Sequence, residues 1–234
     1  MLLYFSIHVL GVAAALYLYK WWFRPEYKGP VTEGDMREGF LLCLPIPVYW
    51  AVSIVMALVN GSFTIKPLTL SILSTAVAAG FMEELVFRYS LVNTFLRKWN
   101  TKERILMPVW ISALIFGLAH ASNVFQGADA VQTVLQVFET VCVGVLFAAI
   151  FIRSGHILPC MIFHTAQDIF AIVTDPAVSE GGLVTGSITW LNFADAAMSV
   201  GLCVLGLYYL RPQFRDGIVA LWDRIWSRSE KEGI

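Results

Sequence analysis

Residues 131–152 read VQTVLQVFETVCVGVLFAAIFI, a stretch dominated by apolar side chains in which Glu139 is the only charged residue. A helix of about 20 residues crosses the hydrocarbon core of a bilayer, so this stretch is long enough to span a membrane. The whole chain of 234 residues is similar, with 58% hydrophobic residues, 14% charged residues and a mean hydropathy of +0.69. Soluble proteins have about 45–50% hydrophobic residues and about 25% charged residues. The apolar surplus therefore faces lipid, because on a soluble protein it would form large exposed patches.

Six more apolar stretches of comparable character predict an all-α, polytopic transmembrane helix bundle of about seven spans. The predicted spans are 2–23, 39–59, 67–96, 107–122, 131–152, 156–173 and 189–210. The first stretch has no preceding basic region and no small-residue cleavage site, so we predict a span and not a removable signal. The third span is long, and Gly80 is expected to allow a bend in it. Without an internal repeat or a second domain, residues 1–234 are predicted to form a single membrane domain.

The basic residues predict the orientation of the bundle. Of the sixteen Lys and Arg residues, all but Lys66 and Arg88 fall in the first, third and fifth loops, in the tail, or, for Lys20, in the last residues of the span that leads into the first loop. Cytoplasmic loops collect Lys and Arg, so these segments are predicted to be cytoplasmic. The N-terminus is then outside and the C-terminus inside. The net charge of −1 argues against a nucleic-acid partner.

The predicted cytoplasmic tail, residues 211–234, has an amphipathic pattern. Its apolar residues recur at helical spacing between basic ones: Ile218, Leu221, Trp222, Ile225 and Trp226. This pattern predicts a short interfacial helix on the cytoplasmic surface, the alternative being a frayed tail.

The third span carries two adjacent acids and an arginine, in the segment FMEELVFR at residues 81–88. A charge inside a spanning helix is costly unless it is paired or hydrated, so such residues are candidates for function. Glu84 and Arg88 are four residues apart and can pair along one side of the helix. Successive helical residues are about 100° apart, so Glu83 points elsewhere. With no partner on its own helix, Glu83 suits a general base.

The fourth and sixth spans carry further ionisable groups, His120 in FGLAH and His164 with Asp168 in HTAQD. His164 and Asp168 are four residues apart and share a helix face. At about 1.5 Å per residue, Glu83, His120 and His164 lie roughly 17–24 Å from the basic residues at the inner ends of their spans. Three helices thus bring ionisable groups to a similar depth in a core about 30 Å thick. This shared depth predicts one common polar cavity.

The fifth span adds a polar stripe made of Gln132, Gln136 and Glu139. By the same measure of depth, Glu139 lies roughly 21 Å from Arg153. The stripe either lines a groove of the same cavity or pairs with a neighbouring helix, and both interpretations stay open.

These motifs resemble those of the CPBP family, which comprises the CAAX proteases and bacteriocin-processing enzymes and is also called Abi. The resemblance consists of a Glu-Glu-x-x-x-Arg helix, a Phe-x-x-x-His helix and a His-x-x-x-Asn/Asp helix. Here the matching residues are Glu83, Glu84 and Arg88, then Phe116 and His120, then His164 and Asp168. Their order and spacing agree with the family, and the family-like catalytic core extends over about residues 74–173.

The resemblance implies an intramembrane glutamic endopeptidase, a hydrolase that uses neither a metal nor another cofactor. Glu83 with His120 would activate a water for attack on the scissile carbonyl. His164 and Asp168 would stabilise the oxyanion. Chemically the set is sufficient, because it offers a base, an orienting imidazole and donors aimed at developing charge.

Three residues of the motifs, Glu84, Arg88 and Phe116, would support the site and help to position Glu83. Asp168 departs from the prenyl-processing members of the family, which carry Asn at this position. An Asp side chain donates to an oxyanion only when it is protonated, and otherwise Asp168 would orient His164.

The partners implied by the resemblance are membrane lipid and a peptide or protein substrate, which would be a lipidated protein, a leader peptide or a signalling peptide. Gln136 and Glu139 would line the groove that binds this substrate. The expected location is the bacterial cytoplasmic membrane.

Three alternatives stay open. Two His and a Glu are a legitimate catalytic zinc set, but the helical His-Glu-x-x-His motif is absent. A non-catalytic partner-binding or immunity protein could have the same fold. A transporter also carries polar groups at mid-membrane, although paired Pro- or Gly-interrupted spans are not evident.

Overall fold

The computed structural model describes residues 34–231, together with Ala13 and Tyr17. Between residues 34 and 231 the chain folds into seven helices and no strand, with one isolated bridge between Val178 and Val184. We number the helices α1 Met36–Val59, α2 Leu70–Trp99, α3 Leu106–Gln126, α4 Ala130–Ser154, α5 Leu158–Thr174, α6 Trp190–Tyr209 and α7 Pro212–Lys231.

Helices α1, α2, α3, α4 and α6 are each long and apolar enough to cross a membrane. Helix α5 is also apolar but has only 17 residues. Six of the seven predicted spans thus coincide with helices, which confirms the all-α membrane bundle. The predicted first span, 2–23, lies outside the described residues apart from Ala13 and Tyr17.

Polar side chains and a glycine set several helix ends. The Thr69 hydroxyl accepts a hydrogen bond from the backbone N–H of Ile72 at 3.2 Å, where α2 begins. Asp129 caps α4 in the same way, and its carboxylate accepts from two backbone N–H groups. Helix α4 ends at Ser154, and the next residue, Gly155, has a φ of 66° that favours a residue without a side chain.

Helix α2 changes its hydrogen-bonding pattern in the middle. Its first part, Leu70–Glu83, is α-helical, its central part, Glu84–Val92, is a π-helix, and its last part, Asn93–Trp99, is α-helical again. π-helical turns are rare and are frequent at functional sites. Gly80, where we expected a bend, lies in the regular first part.

Gly80 allows α2 to approach α5 closely. A Cβ atom at this position would lie 2.5 Å from the backbone nitrogen of Thr165 and 2.8 Å from its Cα. These separations are too short for any side chain, so α5 could not pack at its present distance against a larger residue. Thr165 follows His164, and the contact therefore fixes the position of that histidine relative to α2.

Helix α4 lies at the centre of the bundle, and its segment 145–152 is almost completely buried. Helix α7 packs its apolar face against the end of this bundle. The indole N–H of Trp222, which is 1% exposed, donates to the carbonyl of Ile152 at 2.8 Å. Ile218 is 2% exposed, and the indole N–H of Trp226 donates to the side chain of Asn93 at 3.1 Å. The predicted C-terminal amphipathic helix is therefore present, with protein against much of its apolar face.

Candidate functional site

A cavity of about 690 Å³ lies within the bundle and has residues of α1 to α6 in its walls. The four residues predicted to be catalytic all line it: Glu83, His120, His164 and Asp168. Gln132, Gln136 and Glu139, which form the polar stripe of α4, line it as well. Groups from four different helices thus meet in one cavity, as their shared depth predicted.

His164 lies between three carboxylates. Its Nδ1 is 2.8 Å from Oε1 of Glu84, and its Nε2 is 3.6 Å from Oε2 of Glu83 and 3.8 Å from Oδ1 of Asp168. An ionised carboxylate only accepts, so Nδ1 carries a proton in the hydrogen bond with Glu84. This bond fixes the ring and leaves Nε2 directed at Glu83 and Asp168.

Glu84 and Arg88 form the ion pair that their spacing predicted. Both side chains are 0% exposed, and Nη1 of Arg88 is 3.1 Å from Oε1 of Glu84. The same Glu84 oxygen accepts from His164, so this carboxylate joins α2 to α5. The pair lies in the π-helical part of α2.

Aromatic rings enclose this charged group. The guanidinium of Arg88 lies over the ring of Phe116, 4.1 Å from its centroid. The Phe116 ring also contacts His120 and His164 edge-on, with centroid distances of 5.0 and 5.8 Å. Phe147 stacks on His164 at 5.6 Å. Phe116 was expected in a supporting position, whereas Phe147 lies inside a continuous apolar run that carries no signal for it.

His120 begins the 3₁₀ turn that ends α3, His120–Gln126. Its Nδ1 lies 3.0 Å from the carbonyl oxygen of Phe116. A carbonyl only accepts, so this contact places the proton on Nδ1. With the proton on Nδ1, Nε2 is the ring nitrogen that can accept a hydrogen bond, and the His120 side chain lines the cavity.

The two adjacent glutamates differ in exposure. The side chain of Glu83 is 32% exposed, whereas that of Glu84 is completely buried. Asp168 is also partly exposed, at 28%. Of the two glutamates, only Glu83 is open to water and to a ligand in the cavity.

The part of the cavity beyond this cluster has both apolar and polar side chains in its walls. Gln136 accepts a hydrogen bond from the side-chain amide of Asn123 at 3.0 Å, and Gln132 donates to the carbonyl of Gly186 at 3.1 Å. Asp195 of α6 accepts from the hydroxyl of Ser53 at 3.2 Å and also lines the cavity. The sequence reasoning missed Asp195, although an acid in the middle of a predicted span was the signal that could have found it.

Between residues 34 and 231, no three His, Cys, Asp or Glu side chains form a group that could hold a metal ion. A metal-free reaction stays a prediction of the resemblance.

Comparison with known proteins identifies the central part of the chain. A family model described as "Type II CAAX prenyl endopeptidase Rce1-like" matches residues 65–170. This range contains Glu83, His120, His164 and Asp168. No curated protein and no solved structure matches the chain.

Proposed function

Residues 65–170 belong to the CAAX protease family, and from this premise we propose that the chain is an intramembrane endopeptidase that hydrolyses a peptide bond with a water activated by Glu83 and His120. The observation that carries the proposal is the meeting of Glu83, His120, His164 and Asp168 in one cavity of a membrane-spanning bundle. The chain is an integral membrane protein with five helices long enough to span among its described residues.

Glu83 is the better candidate for the base because it is the exposed member of the pair. Its neighbour Glu84 is buried and is engaged by Arg88 and His164. Glu83 takes a proton from water while the water oxygen bonds to the carbonyl carbon of the substrate. The C–N bond then breaks, and the leaving nitrogen receives the proton from Glu83. The carboxylic acid that remains gives its own proton to the released amine or to water and becomes a carboxylate. His120, with its Nε2 unprotonated, orients the water.

His164 supports the negative charge that develops on the carbonyl oxygen. Glu84 holds its Nδ1–H, so the ring presents Nε2 to the cavity in a fixed direction. A protonated Nε2 donates to the oxyanion, which is the kind of preorganised stabilisation that contributes most in enclosed sites. Asp168, at 3.8 Å, helps to hold this ring.

The substrate is a peptide or a protein segment that reaches the cavity within the membrane. Its identity among lipidated proteins, leader peptides and signalling peptides is left to the experiment. Gln136 and Glu139 extend the polar wall beyond the reacting groups and supply hydrogen-bonding partners for its backbone. No metal or cofactor enters the proposed reaction, and the bacterial cytoplasmic membrane with the C-terminus inside is the proposed location.

The test is a screen of purified protein in detergent against a library of quenched fluorescent peptides, with wild type and His120→Ala in parallel. We expect cleavage by the wild type and a decrease in kcat of about 10²–10⁴-fold in the variant, the usual contribution of a positioned acid–base group. Cleavage in ¹⁸O-water should place one ¹⁸O atom in the new carboxylate. Equal cleavage by both proteins would remove His120 from the mechanism.

The same screen separates the alternatives. Activity that a chelator removes and zinc restores would favour a zinc protease. No cleavage of any peptide by a folded wild-type protein, together with an unchanged biological effect of Glu83→Gln, would favour a non-catalytic binding protein.

A further inference from the structure

The 3₁₀ turn of α3 places a second polar side chain on the same side as His120. Residues three apart in a 3₁₀ helix lie above one another, and Asn123 follows His120 by three residues. With a rise of about 2 Å per residue, the two Cα atoms are separated by roughly 6 Å along the axis. Both side chains line the cavity. Asn123 is thus one short turn from a group that is proposed to orient the water.

The orientation of the Asn123 amide is fixed by its neighbours. Its Nδ2 donates to Oε1 of Gln136 at 3.0 Å, and its Oδ1 accepts from Nε2 of Gln126 at 3.5 Å. An amide nitrogen carries two N–H donors, and the bond to Gln136 uses one of them. The other N–H has no hydrogen-bond partner among the described residues, and Asn123 lines the cavity, so a ligand there can accept from it.

Hydrolysis of a peptide bond requires donors where the carbonyl oxygen becomes negative. The cluster around His164 is poor in such donors. Glu83 and Asp168 are acceptors when ionised, and both lie within 4 Å of Nε2 of His164, so they compete with a substrate for its proton. A neutral amide on the α3 wall supplies a donor without adding a charge.

Resting on the proposed function, we infer that Asn123 is a further catalytic residue, whose free amide N–H donates to the scissile carbonyl oxygen of the substrate as negative charge builds on it. Gln136 is a positioning residue that holds the amide in this direction. The site then has donors from two walls, His164 from α5 and Asn123 from α3, with Glu83 and His120 beside the water.

The test compares kcat and KM of wild type, Asn123→Ala, Asn123→Asp and Ser122→Ala on the peptide that the library identifies. Loss of one oxyanion donor lowers kcat by about 10²–10³-fold, so we expect this loss in Asn123→Ala with KM within about twofold of wild type. Asn123→Asp keeps the shape, and its carboxylate can accept from Gln136 after the Gln136 amide turns round, but it cannot donate. It should be at least as inactive as Asn123→Ala.

Ser122→Ala is the matched control in the same turn, because the exposed Ser122 hydroxyl donates only within its own turn, to Ala119 at 2.8 Å. A peptide phosphinate that imitates the tetrahedral intermediate should lose affinity for Asn123→Ala by the same factor as kcat. A structural role alone would not produce this agreement. A kcat of Asn123→Ala and Asn123→Asp equal to that of Ser122→Ala, or a rise in KM at constant kcat, overturns the inference.

A Glu83→Gln protein separates this inference from the proposed function. If Glu83→Gln is inactive while both Asn123 variants are fully active, only the role of Asn123 fails. If Glu83→Gln is fully active, the proposed mechanism fails as a whole. Should Asn123→Ala not fold, Asn123→Asp decides, because it has nearly the same volume as the native residue.

Discussion

Glu83 and Glu84 are neighbours in the chain, but their surroundings differ. Glu84 is buried between Arg88 and His164, and it joins two helices. Glu83 lies at the junction of the α-helical and π-helical parts of α2 and is partly exposed. A buried anion is tolerated only when its charge is compensated. We therefore predict that the Glu84–Arg88 pair has a structural role and that Glu83 is the acid available for chemistry.

Replacing Arg88 by an apolar residue of similar length tests this division. Arg88→Met leaves the buried Glu84 without its cation, and we expect a loss of about 3–5 kcal/mol in the free energy of unfolding. The double variant Arg88→Met/Glu84→Gln removes both charges and should recover at least half of that loss. Denaturant titration in mixed micelles measures both values. Equal losses in the single and the double variant would mean that the pairing is not what stabilises this region.

The spacing of the residues was sufficient to predict part of this site. The Glu84–Arg88 pair follows from a separation of four along one helix, and the common depth of Glu83, His120 and His164 follows from the rise per residue. The contact of His164 with both glutamates was not predictable in the same way. It depends on how α5 is rotated towards α2, and His164 is 80 residues from Glu84 in the chain.

The close approach of α2 and α5 is the element-scale feature on which the site depends. Gly80 provides the space for Thr165, next to His164. The π-helical segment begins at Glu84, four residues after Gly80, and it carries Glu84 and Arg88. Nothing in the sequence of this span indicated a change from i→i+4 to i→i+5 hydrogen bonds, because the π-helical segment contains neither Gly nor Pro.

A methyl group at Gly80 should push α5 away. Gly80→Ala is expected to reduce the free energy of unfolding by about 1–3 kcal/mol, as overpacking does. It should also lower peptide cleavage by about 10²-fold, because a shift of about 1 Å in a catalytic group has an effect of this size. Rates and unfolding are measured on the same preparation.

Gly201→Ala is the control for this experiment. Gly201 is also helical, and no atom of another part of the described chain lies within 4 Å of a Cβ built there. This variant should keep both activity and stability. If Gly80→Ala behaves like Gly201→Ala, the close contact does not hold the site together.

At the scale of the whole molecule, the bundle packs around α4 and is closed at one end by α7. The spans were predictable because the bilayer fixes their length and their apolar composition. Helix α5, with 17 residues, is shorter than each of the five helices that are long enough to span, and it carries His164 and Asp168. The packing of α7 was less predictable, because the same amphipathic pattern fits a lipid surface and the protein surface that Trp222 contacts.

Cysteine labelling tests the predicted orientation. Glu180→Cys lies in the exposed loop between α5 and α6, and Thr101→Cys lies in the exposed loop between α2 and α3. We expect a membrane-impermeant maleimide to label Glu180→Cys in intact cells and Thr101→Cys only after lysis, since basic loops remain in the cytoplasm. Wild type gives the background of the native cysteines. The reverse labelling pattern would mean that the protein has the opposite orientation in the membrane.

The central claim is that a partly exposed carboxylate in this intramembrane cavity activates the water. The most direct measurement compares Glu83→Gln with Glu180→Gln, the same chemical change at an exposed residue that does not itself line the cavity. Both proteins are purified in the same detergent and assayed on one cleaved peptide. We predict that Glu180→Gln cleaves as fast as wild type and that Glu83→Gln, folded to the same extent, loses at least about 10²-fold in kcat. Equal rates for the two variants would contradict the account.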